Sequence, residues 1–184
     1  MIELRAESLA DTHRIAASLA GLCRSGDLIV LSGEMGAGKT AFAQGFGRSL
    51  GIEEPITSPT FTLVHSYDIP SVSSGGAAHE RHGVRSLHHA DLYRLDRTAE
   101  IADLALEELA EYQGIVLVEW GDVVDSLFGD HLVVHLEPEL DDSDEDDLEV
   151  DGVNGVRMIE ISATGSRWAA RWSQLVEQCR EYAC

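Results

Sequence analysis

Apolar residues recur along this chain with two periods, one typical of helices and one of strands. Between residues 12 and 23 they return every three or four positions, which predicts an amphipathic helix with Ile15, Leu19 and Leu22 on its buried face. Similar spacing predicts helices over about 40–50, 98–112 and 166–182. The expected buried positions of these three helices are, in order, Phe42, Phe46 and Leu50; Ile101, Leu104, Ala105, Leu109 and Tyr112; and Trp168, Trp172, Leu175 and Val176.

Short runs of apolar and β-branched residues lie between the predicted helices and have the length of strands. The run at 115–118 is apolar throughout, as expected of a parallel strand that is buried on both faces. No apolar run is long enough for a transmembrane helix, so no membrane association is expected. The predicted strands are 28–31, the second half of 57–67, 86–95, 115–118, 132–136 and 158–162.

Two segments depart from this pattern. Residues 69–85 are rich in Ser and Gly, and residues 137–151 contain ten Asp and Glu side chains, whose mutual repulsion favours a solvated loop. With 184 residues, the chain has the length of one domain. We therefore expect a single domain over 1–184 with flexible insertions at about 69–85 and 137–154.

Charge and cysteine content narrow the choice of partners and compartment. The net charge is −20, with 33 acidic residues against 13 Lys and Arg, which argues against unaided binding of RNA or DNA. A basic partner could supply that contact, and solubility alone would explain the charge equally well. Three scattered cysteines and the lack of a signal-peptide pattern predict a cytoplasmic protein with reduced thiols.

A glycine-rich segment joins the predicted strand at 28–31 to the predicted helix at 40–50. It matches G-x-x-x-x-G-K-[ST], the P-loop pattern, in the strand–loop–helix context that the pattern requires. The glycines permit a tight turn in which successive backbone N–H groups face one anion, and a helix N-terminus favours phosphate further. The lysine can reach the β- and γ-phosphates of a nucleoside triphosphate, and the threonine hydroxyl can ligate Mg²⁺. The residues of this segment are Gly33, Glu34, Met35, Gly36, Ala37, Gly38, Lys39 and Thr40.

Polar residues near the ends of other predicted strands add candidates. Glu119 ends the apolar strand in the Walker B pattern, where an acid holds Mg²⁺ or orients the attacking water. Asp91 is a further carboxylate at a predicted strand end. Ser58, Thr60 and Thr62 either form a segment that senses the γ-phosphate or belong to an ordinary Thr-rich edge strand.

Four motifs in this order closely resemble the TsaE family, the bacterial ATPases of tRNA threonylcarbamoyladenosine synthesis. They are G-E-M-G-A-G-K-T, S-P-T-F-T-L-V, H-A-D-L-Y-R-L and L-V-E-W-G-D, and the resemblance runs from about residue 8 to 165. It implies an α/β fold of the three-layer P-loop NTPase type, with a mainly parallel central sheet and added antiparallel strands. It also implies ATP and Mg²⁺ as cofactors, TsaD and TsaB as partners, and contact with tRNA only through that complex. The segments 69–85 and 137–154 look longer than the family usually has.

The resemblance assigns roles to individual residues. Lys39, Asp91 and Glu119 would be catalytic, and Thr40 and Glu119 would ligate Mg²⁺. Ser58 and Thr60 would belong to a switch-like segment near the γ-phosphate. The family also implies nucleotide contacts from Trp120, Ser8, Thr12 and Arg157.

Two other functions fit the P-loop itself. A small-molecule kinase would need an arginine-bearing lid, whereas the candidate lid at 137–154 is acidic and would repel phosphates. A pure nucleotide-dependent switch is the second alternative. A guanine-specific N-K-x-D motif is absent from the sequence, so ATP is favoured over GTP in each case. We expect a weak Mg²⁺-dependent ATPase that its partners stimulate, because no arginine finger is evident in the chain.

Overall fold

Seven strands form one mixed sheet in a computed structural model of the protein. The structure describes residues 1–59, 62–70, 83–93, 101, 104–120, 128–139 and 155–184. In chain order the strands are β1 Ile2–Ala6, β2 Asp27–Ser32, β3 Val64–Asp68, β4 Ser86–Asp91, β5 Gly114–Glu119, β6 His131–Pro138 and β7 Arg157–Thr164. The helices of the described residues are α1 Leu9–Leu22, α2 Lys39–Ser49, α3 Leu106–Glu111 and α4 Trp172–Gln178, and Arg180–Tyr182 adds a turn of 3₁₀ helix.

The order of the strands across the sheet is β1-β7-β6-β2-β5-β4-β3. The four central strands β6, β2, β5 and β4 run parallel, while β7, β1 and β3 are antiparallel to their neighbours. All residues of β2 and β5 are buried, which explains why their sequences are apolar rather than alternating. The fold is therefore α/β with a mainly parallel centre and antiparallel additions, as the sequence predicts.

The alternation of side chains along the strands builds two cores on opposite faces of the sheet. Ile29, Leu31 and Leu117 face a core that includes residues of α1 and α2. Val30 and Val118 face the opposite core, to which α3 contributes. Helices thus cover both faces, and the molecule has three layers.

Helix α2 is held closely on two sides. A Cβ placed on Gly45 would lie 2.6 Å from Cα of His13 in α1. A Cβ placed on Gly47 would overlap Cδ1 of Ile56, in the segment that follows α2. Gly45 therefore allows α2 to approach α1 more closely than any residue with a side chain could, whereas a side chain at Gly47 would require the Ile56 side chain to turn aside.

The predicted helix at 98–112 is interrupted at residues 104 and 105, and its positions 98–100, 102 and 103 lie outside the described residues. Ala105 has a left-handed φ of 48°, and the described helix α3 starts only after it. Ile101 is buried as expected, whereas Tyr112 is 88% exposed. Leu106 and Ala110 are the buried residues of α3, and the predicted positions Leu104 and Leu109 are partly buried against the same core.

The C-terminal helix is also shorter than predicted. Trp168 is buried, but it lies in a turn before α4 rather than in the helix. Leu175 is buried as expected, while Val176 is 40% exposed. The sequence analysis also missed β1, a short strand at the edge of the sheet.

The two expected insertions lie largely outside the described residues, which omit 71–82 and 140–154. Glu137 and Pro138 belong to β6, and the next residue, Glu139, donates its backbone N–H to the carbonyl of Val156. The single-domain organisation over 1–184 stays a prediction. None of the helices in the described parts of the chain has the length and apolar character needed to cross a membrane.

Candidate functional site

The loop between β2 and α2 depends on glycine for its shape. Gly33, Gly36 and Gly38 have φ values of 126°, 84° and 102°, which residues with a side chain rarely adopt. A Cβ on Gly33 would also overlap the backbone carbonyl oxygen of Leu136 in β6. The loop can therefore start its turn only because Gly33 lets two backbones come together.

The N-terminus of α2 opens onto this loop. Its N-cap residue is Gly38, and no side chain caps the first turn. Backbone N–H groups in the first turn of a helix have no partner inside the helix, and the helix dipole adds positive potential at this end. Loop and helix together form an anion cradle of the kind that binds phosphate.

Lys39 is folded back across the loop. Its ammonium donates hydrogen bonds to the carbonyl oxygens of Gly33, at 2.7 Å, and Glu34, at 2.8 Å. The same Nζ lies 3.8 Å from the centroid of the Trp120 ring, and that ring packs in turn on Tyr93. Trp120 has a left-handed φ of 62°, and its backbone N–H donates to the Leu31 carbonyl. The chain therefore turns sharply after β5 and places the indole beside the lysine.

Two carboxylates meet at the same edge of the sheet. The parallel pairing of β4 with β5 sets Asp91 opposite Glu119, and each residue is 3% exposed. Thr40 Oγ1 donates to Glu119 Oε1 at 2.9 Å. Ser58 Oγ donates to Asp91 Oδ2 at 2.8 Å, and the backbone N–H of Tyr93 donates to Oδ1 at 3.0 Å. The P-loop threonine with Glu119 and Ser58 with Asp91 thus form two hydrogen-bonded pairs in one group at this edge.

His89 joins this group, although the sequence analysis did not identify it. Its Nε2 lies 2.9 Å from Glu119 Oε1, and the ring is completely buried. The signal that would have found it is strand alternation, because a residue two before Asp91 in β4 lies on the same face of the sheet.

Arg157 lies under the P-loop. Its Nε donates to the Ala37 carbonyl at 3.1 Å and Nη1 donates to the Gly155 carbonyl at 2.8 Å. Only 1% of the residue is exposed, and burial lowers the pKa of the guanidinium from its ordinary value. These contacts hold the loop, and the base contact that the resemblance implies stays a prediction.

The remaining candidates occupy varied positions. Ser8 is the N-cap of α1 and accepts from the Asp11 N–H at 3.2 Å. Thr12 is buried, and its hydroxyl donates to the Ser8 carbonyl. Both hydroxyls are therefore engaged within α1, and their nucleotide contacts stay predictions. Met35 is 73% exposed at the tip of the P-loop, and Thr60 lies outside the described residues.

The donor set at the sheet edge fits Mg²⁺. Thr40, Glu119 and Asp91 present only oxygen atoms, the ligands that this ion prefers. Among the described residues, no cluster of three His, Cys, Asp or Glu side chains could hold a metal ion. Mg²⁺ usually binds one or two carboxylates and completes its shell with water and substrate phosphates, so a site beside a phosphate cradle is the arrangement expected.

Comparison with known sequences points to one family. The family model described as threonylcarbamoyl adenosine biosynthesis protein TsaE matches residues 6–148. The chain is 35% identical over 153 residues to the tRNA threonylcarbamoyladenosine biosynthesis protein TsaE of Streptomyces coelicolor, covering 82% of this chain and 89% of that protein. It is 36% identical over 126 residues to the protein of the same name from Treponema pallidum, covering 68% and 83%. The match to the Bacillus subtilis protein of that name, at 37% identity over 115 residues, spans 62% of this chain and 63% of that one.

Comparison with solved structures agrees with the fold. The crystal structure of Bacillus subtilis YdiB superposes with a TM-score of 0.69 at 26% sequence identity. The match covers 96% of this chain and 97% of that one.

Proposed function

This chain belongs to the TsaE family of threonylcarbamoyl adenosine biosynthesis proteins, and from that membership we propose that it is a Mg²⁺-dependent ATPase. Its task is to bind and hydrolyse ATP in support of repeated turnover by the complex that modifies tRNA. It is not itself the transferase. The expected setting is the cytoplasm.

The observation that carries this proposal is the contact between Thr40 and Glu119. A P-loop threonine and a strand-end acid come from positions 79 residues apart in the chain, yet their side chains are hydrogen-bonded at 2.9 Å. This is the pairing that holds Mg²⁺ in P-loop NTPases. The adjacent Asp91 supplies a second buried carboxylate at the same place.

Each residue of the site has a distinct task in hydrolysis. Lys39 exchanges its carbonyl partners for the β- and γ-phosphate oxygens, which are the stronger acceptors because they are charged. Thr40 and Glu119 would hold Mg²⁺, which would neutralise charge on the phosphates. Asp91 orients the attacking water and can accept its proton, and Ser58 links that carboxylate to the segment expected to sense the γ-phosphate. The indole of Trp120 shields this part of the cradle from bulk water.

Partner proteins complete the proposal. We infer that TsaD and TsaB carry the tRNA and the transfer chemistry, since a chain with a net charge of −20 is poorly suited to bind RNA directly. Within P-loop proteins, a group supplied in trans often stabilises the charge that develops at the γ-phosphate. Hydrolysis is therefore expected to be slow alone and faster when the partners dock.

The test is ATP turnover by the purified protein, alone and with TsaB and TsaD, beside the Lys39→Ala and Glu119→Gln variants. Glu119→Gln keeps the size of the side chain and removes only its charge. Stimulation by the partners that disappears in both variants supports the proposal. Transfer of phosphate to a small acceptor, with no effect of the partners, would contradict it and favour a kinase.

A further inference from the structure

The side chain of His89 has no task in the mechanism just described, yet it contacts that mechanism directly. It is fully buried in β4, on the same face of the sheet as Leu87 and Asp91. Leu87 belongs to the apolar core beneath the site. A histidine at the next inward-facing position interrupts that apolar row where the row reaches the carboxylates.

The hydrogen bonds of this ring identify the nitrogen that faces Glu119. An ionised carboxylate can only accept, so the contact of 2.9 Å to Glu119 Oε1 requires a proton on Nε2 of His89. Nδ1 has no hydrogen-bond partner among the described residues. Glu119 is therefore the one hydrogen-bond partner that the described residues give to this ring.

Two donors therefore converge on one oxygen of Glu119. Thr40 Oγ1 and His89 Nε2 each lie 2.9 Å from Oε1. No hydrogen bond from the described residues reaches the other oxygen, Oε2. The carboxylate is consequently fixed in rotation, with one oxygen saturated and one left for a further ligand.

We propose that His89 is a positioning residue, whose bond to Glu119 Oε1 orients the carboxylate so that its second oxygen serves the Mg²⁺ of bound ATP. This inference rests on the proposed function, because it needs a nucleotide-bound Mg²⁺ at the site. Without the imidazole, Glu119 would keep only the Thr40 hydroxyl and could rotate. Partners of this kind contribute about 10-fold to 100-fold in metal affinity in known metal sites.

The experiment compares three substitutions at this position. In His89→Gln, the amide can donate near the place of Nε2. In His89→Asn, the amide is too short to reach Glu119, and in His89→Leu the donor is absent. Calorimetry gives the affinity for the non-hydrolysable analogue AMPPNP, first in EDTA and then at increasing Mg²⁺. The free energy of unfolding, measured in EDTA without nucleotide, shows which variants fold.

The expected result is selective. The Mg²⁺ concentration for half-maximal binding rises about 10-fold or more in the Leu and Asn variants, and affinity in EDTA stays at the wild-type value. The Gln variant remains close to the wild type. If the Leu variant does not fold, the comparison of Asn with Gln still shows whether a donor near the place of Nε2 sets the Mg²⁺ dependence, because both side chains are polar and uncharged.

Other outcomes overturn the inference in distinguishable ways. A wild-type protein whose AMPPNP affinity is insensitive to Mg²⁺ overturns the proposed function, and this inference with it. A Mg²⁺-sensitive wild type with equally sensitive Asn and Leu variants overturns the role of His89 alone. Equal losses with and without Mg²⁺ would show that the imidazole only supports the fold.

Discussion

Substitution of Gly33 by Ala tests whether the P-loop needs a glycine for steric reasons at its first position. A Cβ at this residue would overlap the carbonyl oxygen of Leu136, whereas ordinary contacts start at 3.4 Å. One of the two backbones would therefore have to move by about 1 Å or more. Neither can give way as a flexible side chain would, because both positions are main chain.

The expected loss follows from that displacement. Moving Gly33 displaces the first residue of the loop that forms the anion cradle with the start of α2. A displacement of about 1 Å at a positioned group can reduce activity about 100-fold, and we expect a loss of this order in ATP affinity. Overpacking typically costs about 1–3 kcal/mol of stability, and backbone strain at a φ of 126° adds to this.

Gly36→Ala is the matched control. Gly36 also has a positive φ, 84°, but a Cβ there would meet no atom within 4 Å. We expect this variant to lose about 1–2 kcal/mol from conformation alone and to keep most of its ATP affinity. Urea unfolding and calorimetric titration with ATP and Mg²⁺ measure both quantities. If the two variants behave alike, the close approach of Gly33 to Leu136 has no energetic consequence, and the steric argument is refuted.

Two further predictions concern stability. The Asp27 carboxylate accepts two hydrogen bonds from the buried Arg171 guanidinium, so Asp27→Asn should lower the free energy of unfolding by about 3–5 kcal/mol. The double variant Asp27→Asn, Arg171→Met should restore part of that free energy. An unchanged urea midpoint for the single variant would contradict this prediction. Burial lowers the pKa of His88, which bonds Ser66 and Ser86, so the folded state resists protonation and stability should fall as the pH drops below about 6.5. His88→Gln should reduce the change in unfolding free energy between pH 7 and pH 5.5. An equal change in the variant and the wild type would contradict the role given to His88.

Local sequence signals are sufficient to predict an element of the fold where its backbone conformation follows from residue type. The P-loop glycines, the apolar strand before Glu119 and the helix after Thr40 were all predicted and lie where expected. The α/β class followed from the motifs that surround them. These features are short-range, so a single sequence contains the information that determines them.

Other features depend on contacts that the sequence does not display. No glycine or asparagine marks the left-handed conformation at residue 105, which is an alanine. The spacing of apolar residues therefore predicts a continuous helix with Tyr112 on its buried face. Strand β1 is a half-buried edge strand, and it is recognised only through its pairing with β7. His89 was missed because its importance arises from a partner 30 residues away in β5.

The close packing around α2 determines which part of the molecule can report the state of the nucleotide. A side chain at Gly45 would meet the backbone of His13, so the phosphate-binding helix packs on α1 with no room for one. Under the proposed function, loss of the γ-phosphate would reach the surface through the hydrogen bond between Asp91 and Ser58, which is exposed at the rim. A partner that docks on this rim would then distinguish ATP from ADP by the position of the Ser58 hydroxyl.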